Sequence, residues 1–388
     1  MLLASLQLGL TSFGGPIAHL AYFERAYVRQ RKWLSADQYC SVVALCQILP
    51  GPASSQVGFL IGLHRAGWLG AFAAWLGFTL PSALLMVGCA VLVPRAQGPV
   101  AQAAVHGLKL VAVAVVAQAV WSMARRLCQD RATIVIALLA ALMLLVAGGA
   151  VTQLAAIGVG AAVGVVLCRN AKIEDPQPSI SISIQPGLAW GALTLYALLL
   201  FGLPLWARLF PQGLIALAEV FYRAGALVFG GGHVVLPLLR DSMVPGGWIS
   251  DDGFLTGYGF AQAVPGPLFT LAAYLGAASR FVDVPVVGAA VALVSIFLPG
   301  LLIAVAGVSL WSRLARHKTV QAGLVGINAA VVGVLGAALY DPVWVTAVRS
   351  GSDAAIALVA LAALQWWKAP PIMAVVTCVA LSGMRVLF

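Results

Sequence analysis

Charge is scarce in this chain. Aspartate, glutamate, lysine and arginine make up 9% of its 388 residues, against roughly 25% in soluble domains. That shortage excludes a water-soluble domain of any size. Cysteine pairs are also absent: Cys40, Cys46, Cys89, Cys128, Cys168 and Cys378 are scattered, and no two form a CxxC. They read as small buried hydrophobes, which excludes a disulfide or metal framework. There is no HExxH, no paired intramembrane carboxylate and no His/Cys cluster, so a membrane-embedded enzyme has no machinery to build on. No metal or other cofactor is expected. A Walker motif is missing and no room is left for an ATPase domain, which excludes ATP as the energy source. The N-terminus lacks the basic region of a cleavable signal.

Apolar residues are abundant instead, at 62%. Runs near 20 residues recur along the whole length, which predicts an all-α polytopic integral membrane protein. The formal net charge of +10 sits mostly in loops between these runs. Such loops face the cytoplasm and anionic lipid rather than nucleic acid.

The apolar text is broken in a repeating way. Ser12-Phe13-Gly14-Gly15-Pro16 returns as Val228-Phe229-Gly230-Gly231-Gly232. Trp33-Leu34-Ser35 returns as Trp248-Ile249-Ser250, each with an aspartate two residues on, Asp37 and Asp252. Gln47 to Pro52 returns as Gln262 to Pro267, and Leu80-Pro81 as Leu298-Pro299. These four landmarks hold a separation of 215 to 218 residues, and Gly107 to Gly326 holds 219. The sequence therefore divides into a first repeat half (1–168), a polar linker (169–186), a single span (187–210) and a second half (211–388). The Ser-Ile alternation at 179–184 reads as linker rather than strand. Six spans per half and one between give about thirteen transmembrane segments, an odd number between repeat starts, and so an inverted internal repeat with broken helices. Only Met1 to Phe13 precede the first break, about 20 Å of helix, so the first helix reads as a half-helix or the chain begins upstream. The basic clusters at 25–32, 125–131 and 313–318 do not agree on one side of the membrane, and the orientation stays open.

These motifs resemble those of the chromate ion transporter family. The text that carries the resemblance is Ser12 to His19 with Tyr22-Phe23, then Trp33 to Ser35, Gln47 to Pro52, and Phe229 to His233 with Leu236-Pro237. It covers nearly the whole chain, and the ordered, repeated set is far more specific than any one Gly-Gly-Pro. The resemblance implies a bacterial inner-membrane protein that moves chromate by secondary active transport, commonly outward, with the proton-motive force. It also implies the long-chain form, two fused homologous halves in opposite orientation. One departure stands out: many family members carry a basic residue six positions before the first Phe-Gly-Gly, where this chain has Gln7, while the second half keeps Arg223. Two alternatives remain open: a carrier for another small anion such as sulfate, and an anion channel. The oligomeric state, a homodimer included, is not fixed by sequence.

A tetrahedral oxyanion in hydrocarbon needs N–H donors and positive charge. A helix restarting after a glycine break offers both. That makes Gly14, Gly15, Gly230, Gly231 and Gly232 candidate substrate-binding residues, together with Gly51 and Gly266 of the Pro-Gly-Pro breaks. Gln47 and Gln262 are in-register amides, either donors to substrate or ties to broken backbone. Lys109 is a mid-span charge and a functional candidate by its cost alone; its repeat mate is Asn328. Glu219 and Arg223 stand one helical turn apart and can pair. A carboxylate that trades its arginine for a proton, while the arginine turns to the anion, would couple proton to anion movement. His19 and His233 follow the breaks and titrate near physiological pH, which makes them coupling candidates or neutral hydrogen-bond partners.

Overall fold

The computed structural model describes residues 1–13, 15–92, 98–168, 184–211, 213–229, 232–314, 317–367 and 369–387. Among these the chain is helical, with no strand. The first half holds α1 (Leu2–Thr11), α2 (Gly15–Phe23), α3 (Ala36–Ile48), α4 (Ala53–Leu92), α5 (Pro99–Leu127), α6 (Arg131–Ala147) and α7 (Gly149–Leu167). After α8 (Pro186–Leu209) come α9 (Leu214–Leu227), α10 (Val235–Met243), α11 (Asp251–Ala263), α12 (Leu271–Ala277), α13 (Pro285–Leu314) and α14 (Lys318–Ala338). The short α15 (Val345–Ala347), α16 (Gly351–Gln365) and α17 (Pro371–Leu387) complete the chain. Most of the linker (169–183), with its Ser-Ile alternation, lies outside the described residues.

Five helical stretches are long and apolar enough to cross a membrane: Ala53–Leu92, Ala101–Leu127, Pro186–Leu209, Pro285–Ser309 and Lys318–Ala347. Shorter apolar helices, among them Arg131–Ala147 and Val151–Leu167, accompany them. Leu138, Leu142 and Val146 of α6 and Leu198, Phe201 and Leu205 of α8 are exposed. An outer surface of this kind needs hydrocarbon around it. The protein is a multi-pass membrane protein.

The repeated motifs have local physical reasons. Ser35 caps α3: its Oγ accepts from the Gln38 N–H, and Gln38 Oε1 accepts from the Ser35 N–H, a capping box. Ser250 caps α11 by accepting from the Gly253 N–H. Asp37 and Asp252 fall in the first turns that follow, at the positive ends of the helix dipoles. The chain enters both helices alike, with Trp33 N–H donating to Tyr27 O and Trp248 N–H to Met243 O. Trp-x-Ser is thus a helix start written twice.

Two hairpins follow the same rule. α4 bends at Ala66–Gly67, where Gly67 takes φ +62°. Its first arm, Ala53–Arg65, is about 20 Å long and falls short of the ~30 Å hydrocarbon core; the arm beyond is long enough to cross it. A Cβ on Gly62 would collide with the Gly70 oxygen, so the two arms meet backbone to backbone. Gly276 of α12 meets Gly288 of α13 in the same way.

The two halves interlock. α5 packs against α11, α16 and α17, while α14 packs against α6 and α7. A Cβ on Gly107 would lie 2.8 Å from the Cys378 oxygen, and one on Gly326 would strike Gly160. The two bundles meet where α14 packs against α5; α1 pairs with α4 and α9 with α13, and α4 itself touches α13.

Candidate functional site

The two Pro-Gly-Pro breaks meet the ends of the opposite half's first helix. Gly51 N–H donates to Val228 O at 2.8 Å, and Gly266 N–H donates to Ser12 O at 2.9 Å. Val228 and Ser12 are repeat-related, each just ahead of a Phe-Gly-Gly, and so are the two glycines. Each half therefore holds the other's broken helix by one backbone bond. The turns demand glycine: Gly51 has φ +115° and Gly266 φ +105°, a region L side chains rarely adopt. Each glycine also lies against a proline kink of the opposite half. A Cβ on Gly51 would lie 2.8 Å from Gly300 Cα, and one on Gly266 would lie 2.7 Å from Ser82 Oγ. Gln56 fastens the first of these joints, donating from Nε2 to Pro50 O and to Gly300 O, both at 2.8 Å. This corrects one expectation. The Gly51 and Gly266 N–H groups, read from sequence as donors to an anion, are engaged by carbonyls, because two buried chain ends in apolar surroundings need partners of their own.

Beside the second joint lies a small pocket lined by Gly15, His233, Gln262, Gly266 and Pro371 with apolar neighbours. Its cavity volume is about 10 Å³, room for about one water. Gln262 is buried, and its Nε2 has no hydrogen-bond partner. His233 Nδ1 lies 2.7 Å from the Tyr258 hydroxyl, itself fully buried; with the tyrosine as donor, the other ring nitrogen carries the proton. Ser12 Oγ is buried and unpaired just behind the Gly266 joint. The arrangement sets polar groups around a small space, which suits an anion stripped of some of its water.

The remaining sequence candidates fall elsewhere. Gly14, Gly230 and Gly231 lie outside the described residues, and Gly232 opens a 3₁₀ turn that leads into α10. Gln47 is exposed at the end of α3, so the in-register amides stand in unlike surroundings. His19 is buried with Nδ1 3.4 Å from Ser54 Oγ, its ring beside the Ser12 carbonyl and edge-on to Phe78. Asn328 is half-buried on α14 and does not line the pocket.

Lys109 is not a lone mid-span cation. Its Nζ lies 2.7 Å from Asp252 Oδ1, and the lysine side chain is 6% exposed against 55% for the aspartate. Arg349 approaches the same carboxylate at 3.7 Å. The ion pair makes the lysine's burial tolerable and joins α5 to α11 across the halves. Asp252 lies outside the apolar spans. The hydrogen bond from Lys109, opposed by partial burial and reinforced by the Lys109, Arg349 and His106 charges, holds its carboxyl below the usual carboxylate range. Three residues before Lys109 on α5, His106 Nε2 meets Asp353 Oδ1 at 3.0 Å.

Glu219 and Arg223 do pair. Arg223 Nε donates to Glu219 Oε1 at 2.6 Å, and Nη2 reaches Ser242 Oγ at 3.3 Å. The pair stands about 7 Å along α9 from Val228 and does not line the pocket. At the matching place in the first half, Gln7 Oε1 accepts from Arg31 Nη2 at 3.3 Å. Arg31 also donates to the Ala26 carbonyl. A guanidinium thus stands at both places, brought to the first by a loop residue. Sequence reasoning placed Arg31 only in a solvated basic loop, and no signal in the sequence joins it to Gln7. Tyr258, Ser12 and Pro371 were likewise unflagged, since their roles arise from packing between halves.

A membrane protein built on paired helix breaks, joined by reciprocal bonds with a small polar pocket beside one of them, belongs to the class of membrane transport proteins by its family. The chain belongs to the chromate transporter family, whose profile matches residues 1–165 and 215–384. It is 29% identical over 372 residues to a chromate transport protein of Pseudomonas aeruginosa, covering 94% of this chain and 86% of that one. A chromate transport protein of Cupriavidus metallidurans is 25% identical over 372 residues, covering 92% and 84%. An uncharacterized transporter of Methanocaldococcus jannaschii is 24% identical over 323 residues, covering 81% and 76%. No solved structure matches the chain.

Proposed function

We propose that the protein is a secondary carrier that moves chromate outward across the bacterial inner membrane, drawing on the proton-motive force. The observation that carries this reading is the reciprocal joint. The glycine of each Pro-Gly-Pro break holds the opposite helix end, and the second joint walls a pocket with the unpaired amide of Gln262 and the ring of His233. Family membership supplies the substrate class, and the donor set fits a tetrahedral oxyanion.

A cavity the size of one water does not admit an ion with four oxygens, so this conformation is the closed one. Opening must separate the walls, Gly15 from one half and His233, Gln262 and Gly266 from the other. α5 and α14 each pack into the opposite half, so the moving bodies are not the two sequence halves. They are the crossed bundles, α5 with α16 and α17, and α14 with α6 and α7, turning where α5 packs against α14.

The membrane potential supplies the energy. A potential of 100 mV, negative inside, favours exit of each negative charge by about 2.3 kcal/mol, and twice that for a divalent anion. Glu219 sets what travels with the anion: protonation of its carboxyl releases Arg223, whose guanidinium then turns toward the anion, so a proton leaves with each divalent anion and the potential still drives one net negative charge outward; loss of the proton restores the pair at 2.6 Å.

Uptake of radiolabelled chromate into inverted membrane vesicles tests the reading. Saturable uptake that rises with an imposed gradient and resists excess sulfate is the expected result. Uptake of sulfate in its place would move the substrate to another oxyanion. No uptake of either under any gradient would overturn the proposal.

A further inference from the structure

Gln153 of α7 is fully buried, and neither its Nε2 nor its Oε1 has a hydrogen-bond partner. Among the described residues it is the one amide side chain with both ends unpaired in the interior. A buried amide in this state carries the full cost of lost hydration, and it calls for a reason.

Its place in the repeat supplies one. Gly107 of α5 meets Cys378 of α17, and Gly326 of α14 meets Gly160 of α7. From Gly160 to Cys378 is 218 residues, and the same step carries Gln153 to Pro371. Pro371 lines the pocket beside Gly15, just past the first glycine break. α7 packs against α10, the helix that follows the second glycine break. Gln153 therefore holds, in the second half-site, the position that Pro371 holds in the first. A proline there can offer no N–H, whereas an amide can.

We propose that Gln153 is a substrate-contacting residue: its Nε2 donates to an oxyanion oxygen when the anion sits beside α10, and its Oε1 takes a hydrogen bond from water that enters with the ion. The inference rests on the carrier reading above.

The test uses the full-length protein in proteoliposomes, with chromate and then sulfate as labelled substrates. Gln153→Met keeps the shape and removes both polar ends. Its thermal unfolding temperature should match or exceed the wild type, because an unpaired amide is removed, while the KM for the transported oxyanion rises at least tenfold with Vmax changed less. Gln153→Asn should recover part of the loss. Gln153→Glu should raise KM more as pH rises, because a carboxylate repels the anion. An unchanged KM in Gln153→Met, or a loss of transport that only follows a loss of stability shared by all three variants, overturns the proposal while leaving the carrier reading intact. Wild-type protein that moves neither oxyanion overturns both.

Discussion

Replacing Gly266 by alanine probes the joint most sharply. At φ +105° an alanine is strained by about 1–3 kcal/mol. Its Cβ would also lie 2.7 Å from Ser82 Oγ and 3.0 Å from Ser82 Cβ. The hydroxyl can rotate away, whereas the Cβ cannot, so the turn must shift and lengthen its 2.9 Å bond to Ser12 O, a further loss of about 1 kcal/mol. Together these come to about 2–4 kcal/mol against the closed form, or roughly 30- to 1,000-fold in its population relative to open forms. Gly51→Ala should be worse, because its Cβ meets Gly300 Cα at 2.8 Å, backbone that cannot rotate. Chromate flux in proteoliposomes and thermal unfolding in detergent read the two consequences. Gly266→Ala should slow flux at least tenfold, and a second change, Ser82→Gly, should return the steric share but not the strain. Wild-type flux and stability in both single variants would refute the reasoning that these turns hold the two halves together.

Two further outcomes follow from the charged groups. Glu219→Gln keeps the shape of the Arg223 contact but cannot trade charge for a proton; exchange of labelled for unlabelled chromate should persist while a pH gradient no longer drives accumulation, and gradient-driven accumulation at the wild-type level would contradict the coupling role. For Asp252, the folded carboxyl lies below its ordinary value of 3.8. The pair with Lys109 is thus fully stabilising above that value and is lost as pH falls through the lower folded one. Asp252→Asn should flatten this acid limb in thermal unfolding measured from pH 6 down to about 3, and an unchanged acid limb would show that the ion pair adds nothing.

Much of the fold was legible because hydrocarbon leaves the backbone few choices. The apolar runs announced an all-α membrane protein, and the Trp-x-Ser repeats turned out to be capped helix starts. The Glu219–Arg223 pair followed from i, i+4 spacing alone. What sequence could not give was partnership across the halves. Lys109 looks isolated in its own run, and only the packing of α5 on α11 brings Asp252 to it. Gly51 and Gly266 look like free donors until Val228 and Ser12 arrive from 177 and 254 residues away. Gln7 reads as a missing cation until Arg31 folds back onto it. Gln47 and Gln262 match in text, yet only one is buried, since the two half-sites are not packed alike.

Counterflow is the most direct test of the central claim that one closed pocket is presented to each side of the membrane in turn. Proteoliposomes loaded with unlabelled chromate, with no gradient of pH or potential, are diluted into a trace of labelled chromate. A carrier of the kind described will accumulate label transiently above the outside concentration, as outgoing unlabelled ions return the pocket for each labelled ion that enters. Label that only rises to equality with the outside would contradict the account and assign the protein an open pore.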